Sequence, residues 1–279
     1  MRDRLDRVLL LLILLLALAL RGYRLDGQSL WADEGNSAAL AGRSLAQIAH
    51  DSAHDIHPPL YYWLLHGWTR LFGTSEAALR SLSAALGLLL VWLTYLIGRR
   101  LHGQATGLLA GFLAAVSPFQ VYYSQEARMY MLLAVCGTGM MYGLIRLAQG
   151  ETGKSQPLGL PILLFATAGL YTHYSFPILL LAINLLYLAW WVASRRLGRP
   201  WLRLGRWAAL QAAALLLFLP WLPIGVERVT SWPRVAAPLG WKEALLATLR
   251  LLALGPVCTA KIHELWLIPF GLLLMLGLW

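Results

Sequence analysis

The sequence has 279 residues, of which 59% are hydrophobic and only 13% are charged, and its mean hydropathy is +0.61. This balance lies well outside the range of soluble domains, so we predict a protein embedded in a lipid bilayer. The net charge of +10 does not indicate a nucleic-acid partner, because the basic residues stand in short clusters between apolar runs, where they act as signals of membrane topology.

The first apolar run, residues 8–20, follows three arginines, as the hydrophobic part of a signal peptide does. No small-residue cleavage site follows it, so we interpret it as an uncleaved anchor helix. The later strong hydrophobic segments bring the expected number of spans to about eight. They are residues 77–97, 105–116, 129–147, 158–171, 176–192, 207–224 and 265–279. The sequence stops inside the last segment, so we expect that residues 1–279 form one C-terminally incomplete transmembrane domain.

A shorter apolar segment, residues 58–72, decides the orientation of all later spans. It begins with two prolines and is rich in tyrosine and tryptophan, a composition typical of the membrane interface. If it does not span, every later basic cluster falls on the side of the basic N-terminus, as the positive-inside rule prefers. Residues 23–75 then form a first external loop with juxtamembrane helices, and residues 37–50 are a second helix of this kind.

Four polar motifs fall on the outer side of the membrane under this topology. Ionisable residues are almost absent from the middle of the apolar runs, so we predict that one external face carries the chemistry. The motifs are residues 31–34, 55–62, 122–130 and 171–174.

Ordered sequence features connect these motifs to a known family. They are Asp33-Glu34, then His57-Pro-Pro-Leu-Tyr-Tyr, Ala-Leu-Arg80-Ser, and Ser-Gln-Glu126-Ala-Arg128-Met-Tyr. In this order they resemble the protein O-mannosyltransferase and aminoarabinose-transferase superfamily, over most of residues 21–174. The resemblance implies an all-α, polytopic transmembrane bundle of the GT-C type that transfers a sugar from a polyprenyl-phosphate carrier. One departure is at His57, where aminoarabinose transferases carry lysine in a Glu-Lys-Pro-Pro sequence.

The resemblance implies that Asp33 is the catalytic residue, with Glu34 beside it. The chemistry agrees, since displacing a lipid phosphate from a sugar needs a base for the acceptor hydroxyl and cations for the departing phosphate. We therefore predict that Asp33 is the base of an inverting transfer. Arg80 and Arg128 are the predicted phosphate ligands, because a guanidinium binds phosphate oxygens bidentately and keeps its charge. His57 is a third candidate ligand of the donor phosphate.

Glu126, Tyr61 and His173 are predicted to support this site. Each prediction has a structural alternative: arginines at helix ends contact lipid headgroups, Glu126 pairs with an arginine, and interfacial aromatic and histidine side chains anchor the chain. A divalent cation also stays open, because His50 and His54 stand four residues apart, as two zinc ligands on one helical turn would.

The predicted partners are a polyprenyl-phosphate sugar donor, a protein, lipid or glycan acceptor, and the bilayer. The expected location is the inner (plasma) membrane of a bacterium, with several spans and an extracytoplasmic active site. The alternative is a polytopic transporter without glycosyl-transfer chemistry. Transporters place ionisable residues near the membrane midplane and often contain internal repeats, and this sequence shows neither pattern, which favours the enzyme.

Overall fold

A computed structural model of the chain describes residues 2–149, 159–196, 204–231, 240–256, 268 and 271–272. Within these ranges the regular structure is α-helical, with thirteen helices and no strands, which confirms the all-α prediction. The helices are α1 Arg2–Gly22, α2 Ala32–Ala41, α3 Leu45–Ser52, α4 Leu60–Phe72, α5 Glu76–His102, α6 Gln104–Val116, α7 Pro118–Ser124, α8 Tyr130–Ala148, α9 Gly159–Leu170, α10 Phe176–Arg196, α11 Leu204–Phe218, α12 Leu222–Ser231 and α13 Trp241–Leu254.

Three helices among the described residues are long and apolar enough to cross a membrane, by length and composition: α5, α8 and residues Phe176–Ser194 of α10. Two further spans arise if each bent helix pair counts as one. These pairs are α6 with α7, which turn by 59°, and α11 with α12, which turn by 80°.

The predicted number of about eight spans therefore exceeds the three to five that the described residues provide. One reason is helix length, because α6 has 13 residues and the described part of α9 has 12. Such helices are about 20 Å long at 1.5 Å per residue, against a hydrocarbon core of about 30 Å. The predicted anchor α1 carries several charged residues in its first turns and Arg21 in its last. The last predicted span, residues 265–279, lies outside the described residues except for 268, 271 and 272.

The predicted external loop contains the three short helices α2, α3 and α4. Helix α4 has 13 residues, about 20 Å in length, which agrees with a segment that does not span. The prediction of one helix over residues 37–50 was wrong, because the chain forms two helices there. Gly42 ends α2, and the Ser44 side chain accepts a hydrogen bond from the Gln47 backbone N–H as the N-cap of α3.

The main hydrophobic core joins these short helices to the long ones. Tyr61, Tyr62 and Leu65 of α4 are completely buried and belong to the same core as Leu79 of α5 and Met129 before α8. Leu40 and Ala41 at the end of α2 belong to the same core, so this packing holds α2 and the segment before α8 against the beginning of α5.

The bend between α6 and α7 is stabilised by a buried arginine. Pro118 has no backbone N–H, so the last carbonyl groups of α6 lack their usual helical partners. Arg21 of α1 is completely buried and donates to the carbonyl oxygens of Ala114 at 3.0 Å and Ala115 at 2.9 Å. A cation in this position also interacts favourably with the C-terminal end of the helix dipole.

Candidate active site

Two neighbouring carboxylates begin α2 and occupy opposite environments. The Asp33 side chain is 48% exposed, whereas the Glu34 side chain is 1% exposed. Both lie in the first turn of the helix, where the positive end of the helix dipole stabilises negative charge. The two carboxylates therefore differ in their access to solvent and to a ligand.

The Glu34 carboxylate is held by four hydrogen bonds. Arg80 donates to it twice, with Nε at 2.8 Å and Nη2 at 2.6 Å, and the backbone N–H groups of Ala127 and Trp31 donate at 2.9 and 3.4 Å. Burial alone raises the pKa of Glu34, but the hydrogen bonds, led by that of Arg80, bring this pKa below its ordinary value. Glu34 is therefore a charged, fully bonded carboxylate and a weak base.

Arg80 is 2% exposed, and all its N–H groups are used within the protein. Besides the bonds to Glu34, it donates to the carbonyl oxygens of Leu25 at 2.7 Å, Gln28 at 2.8 Å and Ser29 at 3.2 Å. A phosphate could bind Arg80 only if some of these bonds were broken. The geometry therefore favours a positioning role for Arg80 over the predicted phosphate contact.

Arg128 lies before α8 and is 2% exposed. It contacts both Asp33 and His57, and so joins the motif of residues 31–34 to that of residues 55–62. Its guanidinium donates to the Asp33 carbonyl oxygen at 3.2 Å and to His57 Nε2 at 2.9 Å, and its Nη2 lies 3.5 Å from the Asp33 carboxylate. It also reaches the Ser37 hydroxyl at 3.5 Å. Arg128 Nε is buried and has no hydrogen-bond partner in the described part of the chain. Unlike Arg80, Arg128 thus keeps a free donor.

His57 is 5% exposed and accepts from Arg128, because an arginine can only donate. Burial and the charge of Arg128 lower the pKa of His57 to about 3, so the ring is neutral and its remaining hydrogen is on Nδ1. Among the described residues His57 Nδ1 has no hydrogen-bond partner either. His57 and Arg128 therefore offer two buried N–H groups close to Asp33.

His173 and Tyr61 lie next to this pair. The His173 ring centroid is 4.9 Å from that of His57, and its Nδ1 accepts from the Ser175 backbone N–H at 3.0 Å. Burial, followed by the charge of Arg128, lowers the pKa of His173. The Tyr61 hydroxyl lies 3.4 Å from the Ser83 hydroxyl, which donates to the backbone carbonyl of Arg128 at 3.2 Å. Of the two predicted supporting residues, His173 thus packs against His57, and Tyr61 is linked through Ser83 to the backbone of Arg128.

Glu126 precedes Ala127, whose backbone N–H donates to Glu34. Glu126 is 8% exposed and forms a hydrogen bond with the Tyr122 hydroxyl. Burial raises the pKa of the Glu126 carboxyl. Its side chain and that of Glu34 line a cleft of about 320 Å³.

The sequence-predicted site residues therefore meet in one region, whereas His50 and His54 do not join them. His54 Nδ1 is bonded to the His50 carbonyl oxygen at 2.9 Å. Across the described ranges, no three His, Cys, Asp or Glu side chains are grouped so as to hold a metal ion. Sequence analysis missed the backbone partners of Arg80 and Glu34, and it missed the contact between the Ser37 hydroxyl and Arg128. Ser37 could have been found from its spacing, because it lies four residues after Asp33 on the same helix.

Comparisons with known proteins agree with this architecture. A family model described as dolichyl-phosphate-mannose-protein mannosyltransferase matches residues 56–224. An uncharacterized protein of Aquifex aeolicus is 31% identical over 110 residues, which cover 37% of this chain and 22% of that protein.

A solved structure extends the similarity over almost the whole chain. The apo oligosaccharyltransferase of Archaeoglobus fulgidus superimposes with a TM-score of 0.52 and 12% identity, covering 96% of this chain and 39% of that one. At this identity the likeness shows the fold alone, and the fold agrees with the GT-C type expected from the sequence. The chain thus spans 22% and 39% of the lengths of these two relatives.

Proposed function

The chain belongs to the dolichyl-phosphate-mannose-protein mannosyltransferase family, and on this premise we propose that it acts in a membrane glycosyltransferase that moves a sugar from a polyprenyl phosphate to an acceptor hydroxyl. The observation that carries the proposal is the division of roles between two adjacent carboxylates. Glu34 is buried and bonded to Arg80, whereas Asp33 is half exposed and lies beside Arg128. A base must meet its substrate, and a residue that orients the site need not.

In the proposed reaction the Asp33 carboxylate takes the proton of the acceptor hydroxyl. The acceptor oxygen bonds to the anomeric carbon from the face opposite the phosphate, and the bond between that carbon and the phosphate oxygen breaks. Its electron pair leaves with the polyprenyl phosphate, so the configuration at the anomeric carbon is inverted.

The departing phosphate binds Arg128 and His57 in this proposal. Support comes from the unpartnered Arg128 Nε and His57 Nδ1, which are buried donors whose desolvation a phosphate oxygen would offset. His173 stands against the His57 ring and completes this side of the site. Arg80 has no free donor and instead holds Glu34 and residues 25–29 in place.

The active site is proposed to lie on the extracytoplasmic side of the plasma membrane. The positive-inside rule supports this placement, because α4 is too short to span and the basic ends of α5 and α8 then stay with the basic N-terminus. The chemical groups of the site also stand in short helices and connecting segments, which is unlike the midplane sites of transporters.

The proposal is tested by incubating membranes that contain the protein with radiolabelled polyprenyl-phosphate sugars and following transfer of the label. Asp33→Asn keeps the side-chain shape and removes the basicity, so we expect transfer to fall ~10²–10⁴-fold while donor binding is retained. Asp26→Asn, in the exposed part of the same loop, is the matched control and should transfer normally. Near-normal transfer by Asp33→Asn, together with loss in Glu34→Gln, would reverse the two roles.

A further inference from the structure

The cleft beside Glu34 is distinct from the Arg128 and His57 pair. Its volume is about 320 Å³, near the lower end of the ~300–1,000 Å³ typical of small-molecule sites. The residues that line it include Gln28, Trp31, Gln125 and Glu126. Trp31 precedes Asp33 by two residues, so the cleft lies next to the helical turn that carries the proposed base.

The described residues that line the cleft include carboxyl, amide and hydroxyl groups but no lysine or arginine. The Glu34 carboxylate is paired with Arg80 at 2.6 Å, and burial raises the pKa of the Glu126 carboxyl. Gln125 Nε2 donates to the carbonyl oxygens of Leu20 and Tyr23, both at 3.0 Å, which leaves its Oε1 as an acceptor. Carboxyl and amide groups of this kind bind hydroxyl groups and disfavour a phosphate.

The indole of Trp31 supplies an apolar surface beside these groups. Its side chain is 45% exposed, although it stands in a tightly bonded turn. An exposed aromatic ring next to carboxyl and amide oxygens matches a sugar ring, which has an apolar C–H face and an edge of hydroxyl groups.

The walls of the cleft are also rigid. Arg80 fixes the carbonyl groups of Gln28 and Ser29, and Gln125 fixes the end of α1. A site whose walls are already ordered loses less conformational entropy when it binds a ligand. We infer that this cleft is a binding subsite for a neutral saccharide ring, formed by Trp31, Glu126 and Gln125.

The test is an equilibrium titration of the purified full chain with the neutral methyl glycosides of glucose, mannose, galactose and arabinose, followed by ligand-observed NMR. At least one glycoside should bind, and Trp31→Ala should weaken it about tenfold or more. Glu126→Leu should weaken it similarly, whereas Glu126→Gln, which keeps the side-chain shape and its hydrogen-bonding groups, should retain it. Trp241→Ala removes an indole that is 73% exposed elsewhere and is the matched control. Thermal unfolding of every variant checks that the fold is kept.

Two further measurements identify the source of the ring. If it belongs to the donor, Trp31→Ala will reduce binding of a polyprenyl-phosphate sugar but not of the bare polyprenyl phosphate. If it belongs to the acceptor, both lipids will bind as before and the KM for the acceptor will rise. Both of these measurements rest on the proposed function, whereas the glycoside titration does not, because it needs neither the lipid-linked donor nor turnover. Glycoside binding that is undetectable in the wild type, or unchanged by Trp31→Ala and Glu126→Leu, would overturn the inference.

Discussion

Asp33 and Glu34 are neighbours in the chain, yet only one of them is bonded on every side. The difference follows from the path of the backbone, because the N–H of Ala127 and the guanidinium of Arg80 converge on Glu34. A carboxylate bound in this way loses basicity, and its exposed neighbour keeps the freedom to meet a substrate.

The ion pair of Glu34 and Arg80 should be a large contributor to stability. Both side chains are nearly inaccessible, and removing one partner of a buried pair typically costs ~3–5 kcal/mol, because the other charge is left unpaired. We expect Glu34→Ala and Arg80→Ala each to lower the free energy of unfolding by this amount, measured in detergent with a denaturant.

The double substitution Glu34→Ala with Arg80→Ala should cost clearly less than the sum of the two single changes. Arg43→Ala, which breaks the exposed pair with Asp51, is the control and should cost under ~1 kcal/mol. Additive effects of the first pair would show that the two side chains act independently.

His57 should make stability depend on pH in the acidic range. Its pKa is about 3 in the folded protein, against an ordinary value of 6.5, so the unfolded chain binds more protons between these limits. The stabilising effect of the neutral ring is complete above pH 6.5 and decreases as the pH falls towards 3, by at most ~1.4 kcal/mol per pH unit for one group. His173, whose pKa is also lowered, adds to this dependence with the same sign.

His57→Asn should therefore flatten the dependence of the unfolding free energy on pH between 6.5 and 4. Asn36→Gln, which changes no titratable group at an exposed position of α2, is the comparison and should leave the slope unchanged. An equal slope in the wild type and in His57→Asn would contradict the assignment of a neutral, buried ring.

At the scale of the elements, the short helix α4 decides the topology. Because α4, with 13 residues, is shorter than a membrane span, we propose that residue 55 before it and residue 102 at the end of α5 lie on opposite sides of the membrane. Single cysteines at these positions, in a background without Cys136 and Cys258, can be labelled with an impermeant reagent. We expect Asp55→Cys to react in intact cells and His102→Cys to react only after permeabilisation. Labelling of both from the same side would refute this topology.

The interruptions of the helices were partly readable in advance. Gly42 and Ser44 are common residues at helix ends, and Gln47 completes a capping box with Ser44, so the division of residues 37–50 had a local signal. The bend at Pro118 also had one. The excess of predicted spans over those of the described residues has another cause, because α6 and the described part of α9 are short and α1 carries several charged residues.

For the whole molecule, binding of polyprenyl phosphate to the proposed site should raise the free energy of unfolding. A ligand that binds only the folded state raises stability by RT ln(1 + [L]/Kd), which is ~2.7 kcal/mol at a hundredfold excess over Kd. Polyprenyl phosphate should therefore raise the Tm of the wild type. Arg128→Gln should abolish most of this rise, whereas Arg70→Gln, at the end of α4, should not. A full rise in Arg128→Gln would remove Arg128 from the phosphate site.

The sequence predicted which motifs meet but not which residue of each motif is free to bind a ligand. The order of Asp33, His57 and Arg128 indicated one site, and the fold brings them together. Arg80 and Arg128 were indistinguishable in the sequence, because both carry the same group near the start of an apolar helix. Their roles separate only through the carbonyl groups of residues 25–29, whose path follows from tertiary packing that no local pattern specifies.

The contacts of Arg21 imply an order for two steps of membrane assembly, the synthesis of α6 and the docking of α1. Arg21 lies in the last turn of α1, but its carbonyl partner on Ala115 is 94 residues further along the chain. At ~5–20 residues per second, translation leaves this cation without that partner for roughly five to twenty seconds. During this interval Arg21 must remain hydrated at the membrane surface or at the insertion machinery, because an unpaired charge inside lipid is costly. The docking of α1 is therefore completed only after the bend between α6 and α7 has been made.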